Sequence, residues 1–156
     1  MNQSERRRYL IQELLNEQKE YCNYSIPEDP QGQKDLLRGL LNVRAPKILS
    51  REFLKIQDEY LKEETEKKGI TELADLTPVE QGIYLWQGDI TTLRCDAIVN
   101  AANSGMTGCY APNHKCIDNC IHTFAGAQLR YECAQMMKAQ GHEEPTGQAK
   151  ITAAYN

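Results

Sequence analysis

The chain has 156 residues and a net charge of −4, with 18 lysines and arginines against 22 aspartates and glutamates. That length accommodates one good-sized domain or two small ones. No apolar run approaches the roughly 20 residues of a membrane helix, and an acidic balance broken only by the short run Arg6 to Arg8 gives no electrostatic reason to bind nucleic acid. The arginines precede only the mixed run Tyr9 to Leu15 and no small-residue cleavage site follows, so the start does not read as a signal peptide and a cytoplasmic location is expected.

In chain order, Leu10, Ile11, Leu14, Leu15, Tyr21 and Cys22 recur at helical spacing behind a Ser4 cap, which predicts an amphipathic helix over 4–22. Pro27, Pro30 and Gly32 break the chain. Leu36, Leu37, Leu40 and Leu41 then form a second helical stripe that stops before Pro46. A third helix is predicted to begin near Ser50, bury Phe53, Leu54, Tyr60 and Leu61, and end at Lys67-Lys68-Gly69, where cations meet a glycine stop. The charges from Lys62 to Lys68 read as a solvated helix face.

The pattern changes after Pro78. Ile83-Tyr84-Leu85-Trp86 is a short strand signal, and Ala97-Ile98-Val99 is a continuous apolar run of the kind found in strands covered on both faces. Ile121, Phe124, Ala125, Leu129, Cys133 and Met136 return to helical spacing, and Lys150 to Tyr155 reads as another strand. These signals predict a helical unit over 1–78 and an α/β unit over 79–156.

Two polar turns leave the carboxyl ends of the first two strands: Gln87-Gly88-Asp89-Ile90-Thr91 and Asn100-Ala101-Ala102-Asn103-Ser104-Gly105. That is where α/β sheets bind ligands, although either turn alone is an ordinary turn signal. Cys109, His114 and Cys116 then place two thiols and an imidazole within eight residues, beside the carboxylate of Asp118. This donor set suits zinc and leaves a tetrahedral ion one ligand short, as in catalytic sites. Four of the six cysteines fall within 25 residues, a pattern that fits metal binding or reduced thiols better than a disulfide framework. Cys95, Cys120 and Cys133 are read as packing residues, with Cys120, one helical turn beyond Cys116, as an alternative fourth ligand. His122 is read as a satisfied packing residue and His142 as solvated surface.

Taken together, Trp86-Gln87-Gly88-Asp89-Ile90-Thr91, Asp96-Ala97-Ile98-Val99-Asn100-Ala101-Ala102-Asn103 and Asp118-Asn119-Cys120-Ile121-His122-Thr123-Phe124-Ala125-Gly126 closely resemble the opening half of a macrodomain, the ADP-ribose-binding module. With the Cys109, His114, Cys116 insert, the chain resembles the zinc-dependent branch, whose members are protein ADP-ribosylhydrolases. Leu37 to Pro46 and Phe53 to Glu59 are similar to the N-terminal extension of that branch, so the resemblance covers nearly the whole chain. It implies the first half of a three-layer α/β/α fold with a mixed sheet.

Residue by residue, it implies that Asp89 accepts from the adenine amino group and that the Ile90 amide binds the adenosine end. Asn103 would face the distal ribose, with Asn100 and Ala101 shaping the turn beneath it. Asp118 takes the place of the acidic residue that orients or activates the attacking water, and Zn2+ on Cys109, His114 and Cys116 adds Lewis acidity. The implied partners are an ADP-ribosylated protein substrate, a sirtuin-like ADP-ribosyltransferase and a lipoyl-carrying glycine cleavage H-like protein.

A macrodomain is expected to continue past Asn156 with further strands and a second glycine-rich loop, so the 79–156 unit reads as its N-terminal half, inactive in isolation. Two rival readings remain: a non-catalytic ADP-ribose-binding macrodomain with a structural zinc, and a zinc-stapled helical interaction module.

Overall fold

The computed structural model describes residues 1–21 and 23–156. Five helices carry the architecture: α1 (Gln3–Asn16), α2 (Pro30–Val43), α3 (Arg51–Lys68), α4 (Ile117–Ala125) and α5 (Ala127–Gln140). Four short strands form two pairs among the described residues, β1 (Thr71–Glu72) parallel with β4 (Leu93–Arg94), and β2 (Pro78–Glu80) antiparallel with β3 (Ile83–Tyr84).

The helical predictions hold with local corrections. α1 is capped by Asn2 rather than Ser4, because Asn2 and Glu5 form a reciprocal capping box. It ends at Asn16, a short 3-10 turn follows at Lys19–Tyr21, and Cys22 lies outside the described residues. Pro30 starts α2 instead of breaking the chain, since a proline at the first helical position sacrifices no hydrogen bond. α3 begins after the Ser50 cap and stops at Gly69, as its sequence predicts. The single helical pattern from Ile121 to Met136 is two helices, parted at Gly126, whose φ of 96° suits glycine.

Two apolar clusters result. Leu10, Ile11, Leu14, Leu37, Leu40, Phe53, Ile56 and Leu61 join α1, α2 and α3, while Ile121, Ala125, Leu129 and Cys133 join α4 and α5, with Ile90 and Met106 packed against them. The seam between the clusters is polar and satisfied. Fully buried Gln57 of α3 accepts from the Ala127 amide at 3.0 Å and donates to Gln128 at 2.6 Å. Buried Arg130 of α5 donates to the carbonyls of Leu41, Asn42 and Arg44, the orphan acceptors at the end of α2.

The strand predictions are corrected more deeply. Ile83–Tyr84 pairs, but Leu85 and Trp86 do not extend the strand, and neither Ala97–Val99 nor 150–155 enters a ladder. Val99 is 90% and Ile151 92% exposed. A buried parallel strand needs a hydrogen-bonded neighbour, and the described residues place no paired strand beside these segments. The α/β class stands.

Candidate active site and metal centre

α4 organises the site. Its N-cap is Cys116, whose Sγ accepts from the Asn119 amide at 3.4 Å, and its first turn carries Asp118, only 6% exposed. The Asp118 carboxylate meets the Asn100–Asn103 turn. Asn100 Nδ2 donates to Oδ1 at 2.9 Å, and Asn103 Nδ2 approaches Oδ2 at 3.5 Å. Three residues singled out in the sequence therefore share one site, while Ala101 stays exposed in the turn between them.

His122, one helical turn along, lies against the same carboxylate. Its Nε2 is 3.6 Å from Asp118 Oδ1, beyond hydrogen-bond reach, and its buried Nδ1 has no partner. Burial pushes its pKa down to about 4 against the upward pull of Asp118, with Arg130 lowering it further, so the ring is neutral near pH 7. It packs as the sequence predicts but is not satisfied. Gly108 makes the fit possible: at φ 82° it passes so close that a Cβ there would lie 2.7 Å from His122 Cγ.

The loop after Gly108 brings Cys109, His114 and Cys116 together, with every donor atom within 4.8 Å of the others. A tetrahedral zinc with bonds of about 2.3 Å to sulfur and about 2.05 Å to nitrogen sets an S···N edge of about 3.6 Å. Cys109 Sγ and His114 Nδ1 are 3.6 Å apart, so that edge of the set fits the ion. The Asn119 amide favours the Cys116 thiolate, but desolvation and the neighbouring Cys109 outweigh it and push that thiol up. A cation between the sulfurs would reverse this balance. Cys120 does not join the cluster; its Sγ accepts from Arg38 Nη2 at 3.4 Å. Cys133 is buried in the α4/α5 cluster, whereas Cys95 is exposed and not a packing residue. His142 is exposed, as expected.

Asp89 caps the 3-10 turn Ile90–Thr92, accepting from the Thr91 amide at 3.0 Å and from Lys68 Nζ at 2.9 Å. Burial works against its charge, yet Thr91 and Lys68 outweigh it and hold the carboxyl below its ordinary range. Ile90 packs against the α4/α5 cluster, tying this turn to the helix of Asp118.

Three supporting residues escaped the sequence reading. Lys68 was assigned to a solvated face, yet it holds Asp89 and lies 3.0 Å from the Phe124 ring centroid. Asn119, fully buried, donates to the carbonyls of Ala111 at 3.1 Å and Cys109 at 3.5 Å, and accepts from Arg38 at 3.0 Å. Arg130 donates to the Cys109 carbonyl at 3.2 Å and stacks 4.2 Å from the Tyr110 ring centroid. Only Arg130 left a local signal, as a cation beside Leu129 on an apolar helix face.

A carboxylate fixed by two asparagine amides at the mouth of a polar turn thus stands beside a cysteine and histidine loop in an α/β module. Residues 99–156 match the family described as Macro domain. It is 61% identical over 160 residues to a Protein-ADP-ribose hydrolase of Treponema medium, covering 100% of this chain and 61% of that protein. The Protein-ADP-ribose hydrolase of Staphylococcus aureus (strain MRSA252) is 46% identical over 149 residues, covering 95% of this chain and 56% of that protein. A Probable bifunctional ADP-ribose hydrolase/ADP-ribosyltransferase of Fusarium oxysporum f. sp. cubense is 42% identical over 131 residues, or 77% of this chain and 22% of that protein. The chain thus spans 61% and 56% of the lengths of the first two relatives.

Proposed function

We propose that this chain is part of a protein-ADP-ribose hydrolase that removes mono-ADP-ribose from modified proteins. The observation that carries the reading is the convergence of Asn100 and Asn103 on the buried Asp118 carboxylate. Cleaving the bond between a distal ribose and a protein side chain requires a water aimed at the anomeric carbon and stabilisation of oxocarbenium-like charge. Asp118 would orient the water and face the developing charge.

Asn103 would bind the distal ribose, with Asn100 and Ala101 forming the turn under it. Asp89 and the Ile90 amide would take the adenine end; Asp89 Oδ1 already accepts from both the Thr91 amide and hydroxyl, whereas Oδ2, bonded to Lys68, keeps a lone pair for the adenine amino group. Cys109, His114 and Cys116 would hold Zn2+, which as a Lewis acid stabilises developing negative charge when bound. The names of the Treponema and Staphylococcus relatives support an ADP-ribosylated protein as substrate. The resemblance to the zinc-dependent branch extends the proposal to a sirtuin-like ADP-ribosyltransferase and a lipoyl-carrying glycine cleavage H-like protein as partners. No helix among the described residues is long and apolar enough to cross a membrane; the free thiols of Cys95, Cys109, Cys116, Cys120 and Cys133 favour a reducing compartment, and we place the protein in the cytoplasm.

The exposed apolar side chains of Leu85, Val99 and Ile151 support the further reading that turnover needs additional strands against them. The test is a chimera in which this chain replaces the matching residues of the Treponema relative, assayed for ADP-ribose release from a mono-ADP-ribosylated carrier protein. The chimera is expected to turn over, its Asp118→Asn variant to lose activity, and the 156-residue chain alone to release nothing. Undiminished activity in the Asp118→Asn chimera sinks the mechanism.

A further inference from the structure

We propose that Arg38 and Asn42 of α2 are positioning residues that hold His114 in place for the metal, a role that rests on the zinc reading above. The two side chains stand one helical turn apart and grip consecutive loop residues. Arg38 Nη2 donates to the His114 carbonyl at 2.8 Å, and Asn42 Oδ1 accepts from the Asn113 amide at 2.9 Å. Between them the loop packs over Gly39 at ordinary contact distance: a Cβ there would lie 3.5 Å from Asn113 Nδ2 and 3.8 Å from Pro112 Cβ.

The loop needs holding. Asn113 has φ 56°, a left-handed conformation that asparagine tolerates better than most residues, and His114 is exposed. Cys109 and Cys116 are secured otherwise, by Arg130 on the Cys109 carbonyl and by the start of α4. His114 is thus the ligand whose own backbone the helical extension holds directly. The Arg38 nitrogen that holds the His114 carbonyl also donates to Asn119 Oδ1 and Cys120 Sγ, while its Nε is buried without a partner. Every Arg38 contact therefore runs through one nitrogen, and a lysine, with three donors on a side chain one bond shorter, can replace part of it.

The experiment is competition between the full chain and a chelating indicator for zinc, with the cobalt(II) spectrum as a second readout of ligand geometry. Removing groups that orient metal ligands typically weakens metal affinity by about 10- to 100-fold. Arg38→Met is expected to fall in that range with an altered cobalt spectrum, and Arg38→Lys to recover part of the loss. Zinc binding by Arg38→Met within about twofold of the parent, or Arg38→Lys no tighter than Arg38→Met, overturns the proposal. Should Arg38→Met not fold, Arg38→Gln decides, since its shorter amide cannot reach the carbonyl and a zinc off-rate equal to the parent's overturns it. A parent chain that binds no zinc refutes the metal reading and this proposal with it, whereas tight parent binding with indifferent variants refutes this proposal alone.

Discussion

Gly108→Ala tests whether the ligand loop is seated on α4 as the geometry requires. At φ 82° an alanine takes on backbone strain of about 1–2 kcal/mol. Its Cβ would also lie 2.7 Å from His122 Cγ and 2.8 Å from Cδ2. The ring cannot swing away freely, because it is buried between Asp118 and the loop. Overpacking of this kind costs about 1–3 kcal/mol, so the total is about 2–5 kcal/mol. Gly141→Ala separates the two contributions, since Gly141 has φ 77° but nothing within 4 Å of its Cβ position, and it should lose only the backbone part. Urea unfolding of both metal-free variants, with the slope checked for constancy, gives the comparison. A Gly108→Ala loss no greater than that of Gly141→Ala refutes the close approach of loop and histidine.

Further outcomes follow from the same geometry. His122 is neutral in the fold down to about pH 4 but titrates near its ordinary value of 6.5 when unfolded, so protons favour the unfolded chain and stability falls as pH drops through that window. Between about pH 7.5 and about pH 5 this amounts to about 2 kcal/mol, which His122→Gln should remove from the urea-unfolding pH profile; an unchanged profile contradicts the buried neutral ring. Zinc binding should release about two protons near neutral pH as both thiols ionise, measured calorimetrically in buffers of different ionisation enthalpy. Cys120→Ser should leave that number unchanged, and a loss would make Cys120 a ligand after all. Gln57→Ala should destabilise the chain by about 1–3 kcal/mol, because it strips the Ala127 amide of its buried acceptor; calorimetric melting that matches the parent argues against the seam.

Helix signals were legible because they are local. The stripe at Leu37, Leu40 and Leu41, the Ser50 cap and the Gly69 stop each depend on residues a turn apart, and the structure follows them. The grouping of Cys109, His114 and Cys116 was legible for the same reason, the three lying within eight residues. The strand at Ala97–Val99 was not, because a ladder depends on what lies beside it: the same apolar run that predicts a covered strand leaves Val99 exposed when no neighbour is present. The supporting shell of the site was illegible for a related reason. Arg38 and Asn119 are separated by 81 positions, and nothing in the pattern around Arg38 distinguishes it from a solvated arginine.

That long-range shell bears on whether the helical extension and the site fold separately. An apolar interface between them would tolerate sliding or loosening, but here the contacts are directional. Asn42 alone serves both sides: its Nδ2 donates to Thr123 of α4 at 3.0 Å, its Oδ1 accepts from the Asn113 amide, and its carbonyl accepts from Arg130 of α5. Buried polar groups left without partners each cost about 1–3 kcal/mol, so parting α2 from α4 would orphan several at once. The boundary near residue 78 that composition suggests therefore separates two apolar clusters without separating two cooperative units. A perturbation in the first 78 residues should be felt at Cys109, His114 and Asp118, through the polar seam and not through the chain between them.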